Sequence, residues 1–293
     1  MTIAEAVRRA EARLRDAGID DARLEAEVLL CHTLGVSRES LFARLHEPVR
    51  EPARYDLVIQ RRLEHEPSAY IVGHREFYGL ELACTPDALV PRPETELLVE
   101  HAIEWLGRSR PALVLSDGEG TRDPRLIVVD VGTGNGAIAV ALAANARQAR
   151  VVGIDPSRAA LRLARRNAKS YRVGEQVAFV QGELLAPLRG PVDVIVANLP
   201  YIPTSLYEKL PPEIRDHEPK GALHAGRRGT ALIEALLTQA TAHLRPRGLL
   251  LAEHAWNQGR RLREAARESF PAARIETKRD LAGRERMLVV ETA

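Results

Sequence analysis

Residues 128–143 read VVDVGTGNGAIAVALA, and this stretch decides the fold. The apolar run Leu126 to Val131 carries Asp130 near its end. It then meets Gly132, Gly134 and Gly136 at every second position, and Ala137 to Ala146 follow as a helix. A strand buried on both faces reads as such a near-continuous apolar run. A glycine-rich turn from that strand into a helix is the opening unit of a doubly wound α/β sheet.

Downstream, strands and helices keep alternating. Arg150 to Ile154, Val177 to Val180, Val192 to Ala197 and Gly248 to Ala252 read as further strands. Ser157 to Ser170, Thr230 to Leu244 and Gln258 to Ser269 read as helices. Arg274 to Thr277 and Arg286 to Val290 close the chain as two strands joined by a short turn, a pair able to run antiparallel. Seven strands with helices between them predict an α/β fold, a doubly wound Rossmann-like sheet.

Upstream the texture differs. Ile3, Val7, Ala10 and Leu14 recur at helical spacing, as do Leu24, Val28 and Cys31 before a Leu34-Gly35 stop, and Tyr55 to Leu63 repeats the pattern. These predict a small N-terminal helical bundle. Between residues 67 and 95, prolines and glycines punctuate the short apolar runs Ala69 to Val72, Leu80 to Ala83 and Ala88 to Val90, which read as a hairpin or extended linker. Thr95 to Leu106 reads as a helix, and residues 115–125 as a polar loop. The expected organisation is a helical domain over 1–75, a hairpin or linker over 76–95, and an α/β domain over 96–293.

The chain has 293 residues, 45% of them hydrophobic and 28% charged, the balance of an ordinary soluble globular protein. Its net charge is only +2, with 38 Arg but four Lys, which speaks against a chain whose main work is gripping nucleic acid. The charge is unevenly placed. Residues 1–84 hold 12 Arg and no Lys against 15 acids, whereas residues 85–293 hold 30 basic and 25 acidic side chains. An acidic helical domain has the wrong sign for a nucleic-acid clamp and suits a protein partner. Cys31 and Cys84 form no CxxC pattern and read as reduced structural thiols. The charged, amphipathic N-terminus lacks a signal-peptide core, and no stretch approaches the roughly 18 apolar residues of a membrane span. A cytoplasmic protein without a membrane partner, and a monomer, is the expectation.

Glycines let the backbone of the Gly132–Gly136 loop approach a ligand with no Cβ in the way. Asp155 ends the next strand, nineteen residues after the last glycine, where an acid hydrogen-bonds ribose hydroxyls. The dinucleotide fingerprint is G-x-G-x-x-G, whereas this loop is G-x-G-x-G with Asp130 ahead of it. An acid there suits an ammonium better than a pyrophosphate. S-adenosyl-L-methionine carries an ammonium and a ribose and no phosphate. The other readings are a dinucleotide site and a purely structural turn.

The tetrapeptide Asn198-Leu199-Pro200-Tyr201 follows the strand VDVIVA, at the carboxyl end where ligands of such sheets bind. Asn198 offers a carbonyl acceptor, the Leu199 carbonyl offers a second, Pro200 and Pro203 stiffen the loop, and Tyr201 can stack on a planar group. Two acceptors facing one NH₂ group fix a planar amide or an exocyclic amine. The plainer reading is an Asn capping a turn before Pro. His217, Glu218 and His254 have no metal-ligand spacing, so no metal is expected. Arg158, Arg162, Arg165, Arg166, Lys169 and Arg172 read as the solvated face of a helix.

At these residues the chain resembles the class I adenosylmethionine-dependent methyltransferases with an [N/D]-P-P-[Y/F/W] motif, which methylate planar NH₂ groups. Gly73, Arg75-Glu76-Phe77, the segment Pro91-Arg92-Pro93-Glu94-Thr95-Glu96, His217-Glu218-Pro219, Gly229, Glu253-His254, Gln258-Gly259 and the final RDLAGRERMLVV make it similar to the peptide chain release factor glutamine methyltransferases, over nearly the whole length. The resemblance implies methyl transfer to the glutamine of the Gly-Gly-Gln tripeptide in class I release factors, giving N5-methylglutamine, with substrate recognition by the helical domain. By position it implies a cofactor site of Asp130, Gly132, Thr133, Gly134, Asn135, Gly136, Asp155, Glu183, Leu184 and Asn198. It implies catalysis by Asn198, Pro200 and Tyr201, and substrate contacts from these with Leu199, Phe77, Arg92, Pro93 and Glu94. Leu199 stands where that family usually has Pro, and Glu183 where Asp is commoner; the Leu199 carbonyl and an acidic group survive both changes.

Three other functions share parts of this pattern. A nucleic-acid adenine methyltransferase shares the tetrapeptide, but it needs a basic, aromatic-rich recognition region, and aromatics are only 4% here. A ribosomal-protein glutamine methyltransferase shares the chemistry. A non-catalytic adenosylmethionine-binding module would have no need of Asn198.

Overall fold

The computed structural model describes residues 1–108 and 125–293, so all of the polar loop expected over 115–125 except Arg125 lies outside the described residues. The chain forms two compact units, Met1–His74 with Leu210–His217, and Arg75–Lys209 with Glu218–Ala293.

The first unit is helical: α1 (Ile3–Asp16), α2 (Ala22–Leu34), α3 (Arg38–Ala43), α4 (Pro52–Leu63) and α5 (Ser68–Val72). Helix α1 starts in a capping box, in which Thr2 Oγ1 accepts from the Glu5 amide and Glu5 Oε2 accepts from the Thr2 amide at 2.8 Å. Ile3, Val7, Ala10 and Leu14 then face inward against Ala26, Leu29, Leu30 and Ile59. Ala69 to Val72 belongs to a short helix, not an extended run. Pro67 precedes it and Gly73, with φ of +89°, ends it in the left-handed region, with Tyr70 and Ile71 buried. Helix α3, opened by a Ser37 cap, escapes the periodicity because a six-residue helix is under two turns long. Arg62 is 3% exposed. It donates from Nε to Glu25 at 2.8 Å and from Nη2 to Glu213 at 2.7 Å, and His217 Nε2 bonds the Glu64 carbonyl. These bonds tie residues 210–217 to α4.

The boundary between the units falls after the first residue of a hairpin, β1 (His74–Phe77) and β2 (Leu80–Ala83), with which the second unit begins. A 3₁₀ turn, Pro93–Thr95, leads into α6 (Glu96–Arg108). The alternating part runs β3 (Leu126–Val131), α7 (Ala137–Asn145), β4 (Ala149–Asp155), α8 (Arg158–Ser170), β5 (Val177–Gln181) and β6 (Val192–Ala197). Three short helices, α9 (Thr204–Tyr207), α10 (Pro212–His217, in the helical unit) and α11 (Lys220–Leu223), precede α12 (Ala231–Ala240), β7 (Leu244–Glu253), α13 (Gly259–Ser269), β8 (Arg274–Arg279) and β9 (Glu285–Glu291).

The seven strands order as β5-β4-β3-β6-β7-β9-β8, parallel except for β9, which runs antiparallel to β7 and β8. This is a doubly wound α/β sheet, reversing direction of growth between β3 and β6. Alternate residues face opposite layers. Val128, Val194, Leu249 and Val289 pack with Val99, Ala102 and Leu142. Val129, Ile195, Leu250 and Val290 pack with Ile233, Leu236 and Leu262. Both faces are covered, and that is why the strands read as unbroken apolar runs. Helix α7 is apolar all round because it is buried all round. Helix α12 ends short of the expected Leu244, whose backbone instead begins β7 and pairs with Val192. Among the described residues, both cysteines are free thiols, and no helix is long and apolar enough to cross a membrane.

Candidate active site

A cavity of about 330 Å³ opens at the carboxyl ends of β3, β4 and β6. Gly132 and Gly134 line it with φ of +75° and +56°, a backbone that only glycine adopts without strain. A Cβ on Gly132 would stand 3.0 Å from Leu199 Cδ2, so the loop and the tetrapeptide are in close apposition. Gly136 does not line the cavity. At φ +83° it caps α7, and a Cβ there would press on Ala164 of α8 at 3.0 Å. Thr133 and Asn135 line the cavity and are largely buried.

Asp155 accepts from the Gly134 amide through Oδ2 at 2.9 Å and from the Ser157 amide through Oδ1 at 2.8 Å, which aims its carboxylate at the loop. Burial pushes its pKa up against these two bonds. Asp130 lies beneath the loop and does not line the cavity. It is fully buried, with Oδ2 accepting from Thr133 Oγ1 at 2.6 Å and from the Ala139 amide at 3.1 Å, while Oδ1 has no partner. Burial pushes its carboxyl up to about 7. Its bonded oxygen ties the loop to the start of α7, and the residue stands outside the lining, where the sequence suggested an ammonium contact. Glu183 and Leu184 border the cavity, Leu184 with a left-handed φ of 47° that is costly for a bulky side chain.

The ionisable side chains lining the cavity are Asp87, Asp155, Glu183 and Arg92 among the described residues. Arg92 is paired with Glu218, whose second oxygen accepts from the Val90 amide at 3.1 Å. The uncompensated charge is thus negative. The remaining wall is apolar, including Ile138, Ile154, Leu199 and Leu232. This lining fits the adenosyl group and the two cationic centres of S-adenosylmethionine, and it disfavours a pyrophosphate.

Asn198, Leu199 and Pro200 lie at the other side of the same cavity. Asn198 Nδ2 donates to Thr95 Oγ1 at 2.9 Å, Thr95 Oγ1 donates to Glu253 Oε2 at 2.7 Å, and Tyr201 donates from its hydroxyl to Glu253 Oε1 at 3.0 Å. Glu253 is 3% exposed. Burial pushes its carboxyl up while the two hydroxyl donors pull it down, and burial also raises the Tyr201 phenol. The Tyr201 carbonyl accepts from Gln258 Nε2 at 2.9 Å, beside Gly229, where a Cβ would come within 2.5 Å of that oxygen. Phe77 and Arg92 line the cavity, whereas Pro93 and Glu94 point outward and Tyr201 is held beside it by Glu253. The sequence marked Thr95, Glu218, Gly229, Glu253 and Gln258 only as family-like positions. Their bonds explain why those residue types stand there.

Residues 5–73 match the PrmC N-terminal domain, and residues 122–285 match a methyltransferase domain. A release factor glutamine methyltransferase of Moorella thermoacetica is 39% identical over 291 residues, covering 98% of this chain and 97% of that protein. One of Bordetella pertussis is 40% identical over 279 residues, covering 94% and 96%. The chain belongs to the release factor glutamine methyltransferase family. Among solved structures, the hMettl16 catalytic domain in complex with the MAT2A 3'UTR hairpin 6 superposes with a TM-score of 0.58 at 14% identity, over 77% of this chain and 81% of that one, a likeness of fold alone. As a member of this family the chain is an adenosylmethionine-dependent methyltransferase with a Rossmann-like sheet and a helical N-terminal region.

Proposed function

We propose that the chain transfers a methyl group from S-adenosyl-L-methionine to the side-chain amide nitrogen of the glutamine in the Gly-Gly-Gln tripeptide of class I peptide chain release factors, giving N5-methylglutamine. The observation that carries this reading is a single cavity with a glycine loop and carboxylates on one side and Asn198-Leu199-Pro200 on the other. Gly132 to Asn135, Asp155, Glu183 and Leu184 are assigned to the cofactor, and Asn198 to Tyr201 with Phe77 and Arg92 to the substrate glutamine. The helical unit is assigned to recognising the protein partner, in keeping with the acidic excess of residues 1–84.

When bound, S-adenosylmethionine supplies an electrophilic methyl group on a sulfonium. An amide nitrogen is a weak nucleophile because its lone pair is delocalised, so the first contribution of the protein is alignment of the nitrogen. Asn198 Oδ1 and the Leu199 carbonyl accept the two amide hydrogens. They hold the NH₂ plane, and they favour the positive charge that develops on nitrogen. Pro200 restrains the loop. Glu253, the carboxylate that touches the tetrapeptide, has each oxygen taken by a hydroxyl, of Tyr201 and of Thr95, so the proton leaves to water after transfer. A Ser or Cys nucleophile has no role.

Mass spectrometry of the Gly-Gly-Gln peptide, before and after incubation of release factor with enzyme and cofactor, tests the reading; a gain of one methyl on that glutamine is expected. Asn198→Ala is expected to bind cofactor normally and to keep only a small residual rate of transfer. Label appearing on DNA in a mixture of DNA and release factor, or full turnover by Asn198→Ala, overturns it.

A further inference from the structure

Asn198 has one amide and two ways to present it. Rotating the side chain by a half turn exchanges Oδ1 for Nδ2 with little change of shape. Only one of the two orientations offers a carbonyl to a substrate NH₂ group; the other sets donor against donor. Something must therefore choose, and the bonds around Asn198 contain the choice. Thr95 Oγ1 has a single hydrogen, and it goes to Glu253 Oε2 at 2.7 Å. The hydroxyl oxygen is left able only to accept, and it accepts from Asn198 Nδ2 at 2.9 Å. Glu253 cannot turn away, because its other oxygen takes the Tyr201 hydroxyl at 3.0 Å and the residue is 3% exposed. Thr95 borders the cavity but is only 4% exposed, so its hydroxyl is largely shielded from solvent.

We propose that Thr95, oriented by Glu253, is a positioning residue that locks the amide of Asn198 with its carbonyl toward the substrate nitrogen. The same chain of bonds links the side chains of both ends of the tetrapeptide, Asn198 and Tyr201, to one carboxylate. Successive bonds in such a chain polarise one another, so donation by Nδ2 also makes Oδ1 a better acceptor. This inference rests on the assignment of Asn198 to the substrate amide.

The test is single-turnover transfer of labelled methyl to release factor by Thr95→Val, Thr95→Ser, Asn198→Ala and the Thr95→Val/Asn198→Ala double variant, with cofactor affinity measured by calorimetry. Valine matches threonine in shape and lacks the hydroxyl. Thr95→Val is expected to lose about 10- to 100-fold in the transfer rate, the cost of a misplaced reacting group, with cofactor affinity and the KM for release factor unchanged. Thr95→Ser is expected to recover the rate to within about threefold of the parent, since it restores the donor and acceptor. In the Asn198→Ala background, Thr95→Val is expected to lower the residual rate no further, because a residue acting through Asn198 has nothing left to act on. Parental transfer by Thr95→Val, no recovery with serine, or an equal loss in both backgrounds overturns the inference. Parental transfer by Asn198→Ala overturns the underlying assignment instead. If the valine variant does not fold, Thr95→Ala replaces it under the same criteria.

Discussion

Gly229→Ala separates the cost of a backbone from the cost of a contact. Gly229 has φ of +76°, and a Cβ there would stand 2.5 Å from the Tyr201 carbonyl oxygen, 2.6 Å from Gln258 Nε2 and 3.2 Å from Pro203 Cδ. The left-handed backbone alone costs an alanine about 1–2 kcal/mol. The methyl also wedges apart the bond from Gln258 Nε2 to the Tyr201 carbonyl, leaving part-buried groups unpaired at about 1–3 kcal/mol. Together that is about 2–5 kcal/mol, or a fall in Tm of roughly 3–8 °C for a chain of this size. Gly226 supplies the control, for it has φ of +69° and nothing within 4 Å of its Cβ position. Gly226→Ala should therefore lose only the backbone part, about 1–2 kcal/mol. Scanning calorimetry of both variants measures the difference, and methyl-transfer kinetics should show a lowered rate for Gly229→Ala alone, since the Tyr201 backbone moves. Equal losses of Tm in the two variants would refute the argument that the crowded oxygen is what requires glycine at 229.

Other perturbations probe the cofactor side. Asp155→Ala removes the carboxylate that aims the loop through Gly134 and Ser157, and calorimetry should show cofactor binding weakened by about 10- to 100-fold, the loss of one charged hydrogen-bonding group. Asp130 is pushed up to about 7 by burial, so the folded state holds its proton more tightly than the unfolded chain does. Its contribution to stability therefore falls as pH rises from about 4 to about 7. Asp130→Asn cannot titrate, so the Tm of the variant minus that of the parent should climb across this window; a difference that stays constant with pH contradicts the assignment. Glu218→Ala leaves Arg92 and the Val90 amide without their acceptor, and the KM for release factor should rise more than the KM for cofactor.

The parallel sheet was legible because its strands are buried on both faces, which writes apolar runs such as VDVIVA directly into the chain. Helix ends were less legible. Leu244 fits the apolar period of the helix before it, and only its pairing with Val192 assigns it to β7. Ala69 to Val72 looks extended by composition, but the five-residue helix Ser68–Val72 that contains it carries too little period to separate a turn of helix from a strand. At the site, the glycine loop, Asp155 and Asn198 are local patterns and could be read. The role of Asp130 could not, since an acid before a glycine loop reads the same whether it faces the ligand or the underside of the turn. Thr95, Asn198 and Glu253 are separated by 103 and 55 residues, so no spacing rule connects them. Their connection exists only once the sheet brings the ends of β6 and β7 alongside the turn before α6.

The helical unit is made of two pieces of chain, Met1–His74 and Leu210–His217. A gene cut after residue 74 would therefore yield a fragment missing one of its own helices, with Arg62, 3% exposed, deprived of Glu213. Exchanging this unit between relatives, or transplanting it onto another scaffold, calls for two crossovers in the second half of the gene in addition to the one near residue 74. Recombination at a single junction separates Arg62 from the Glu213 of its own protein and leaves it the Glu25 carboxylate. A substitution at Glu213 therefore acts on Arg62, which lies 151 positions earlier in the chain but in the same unit.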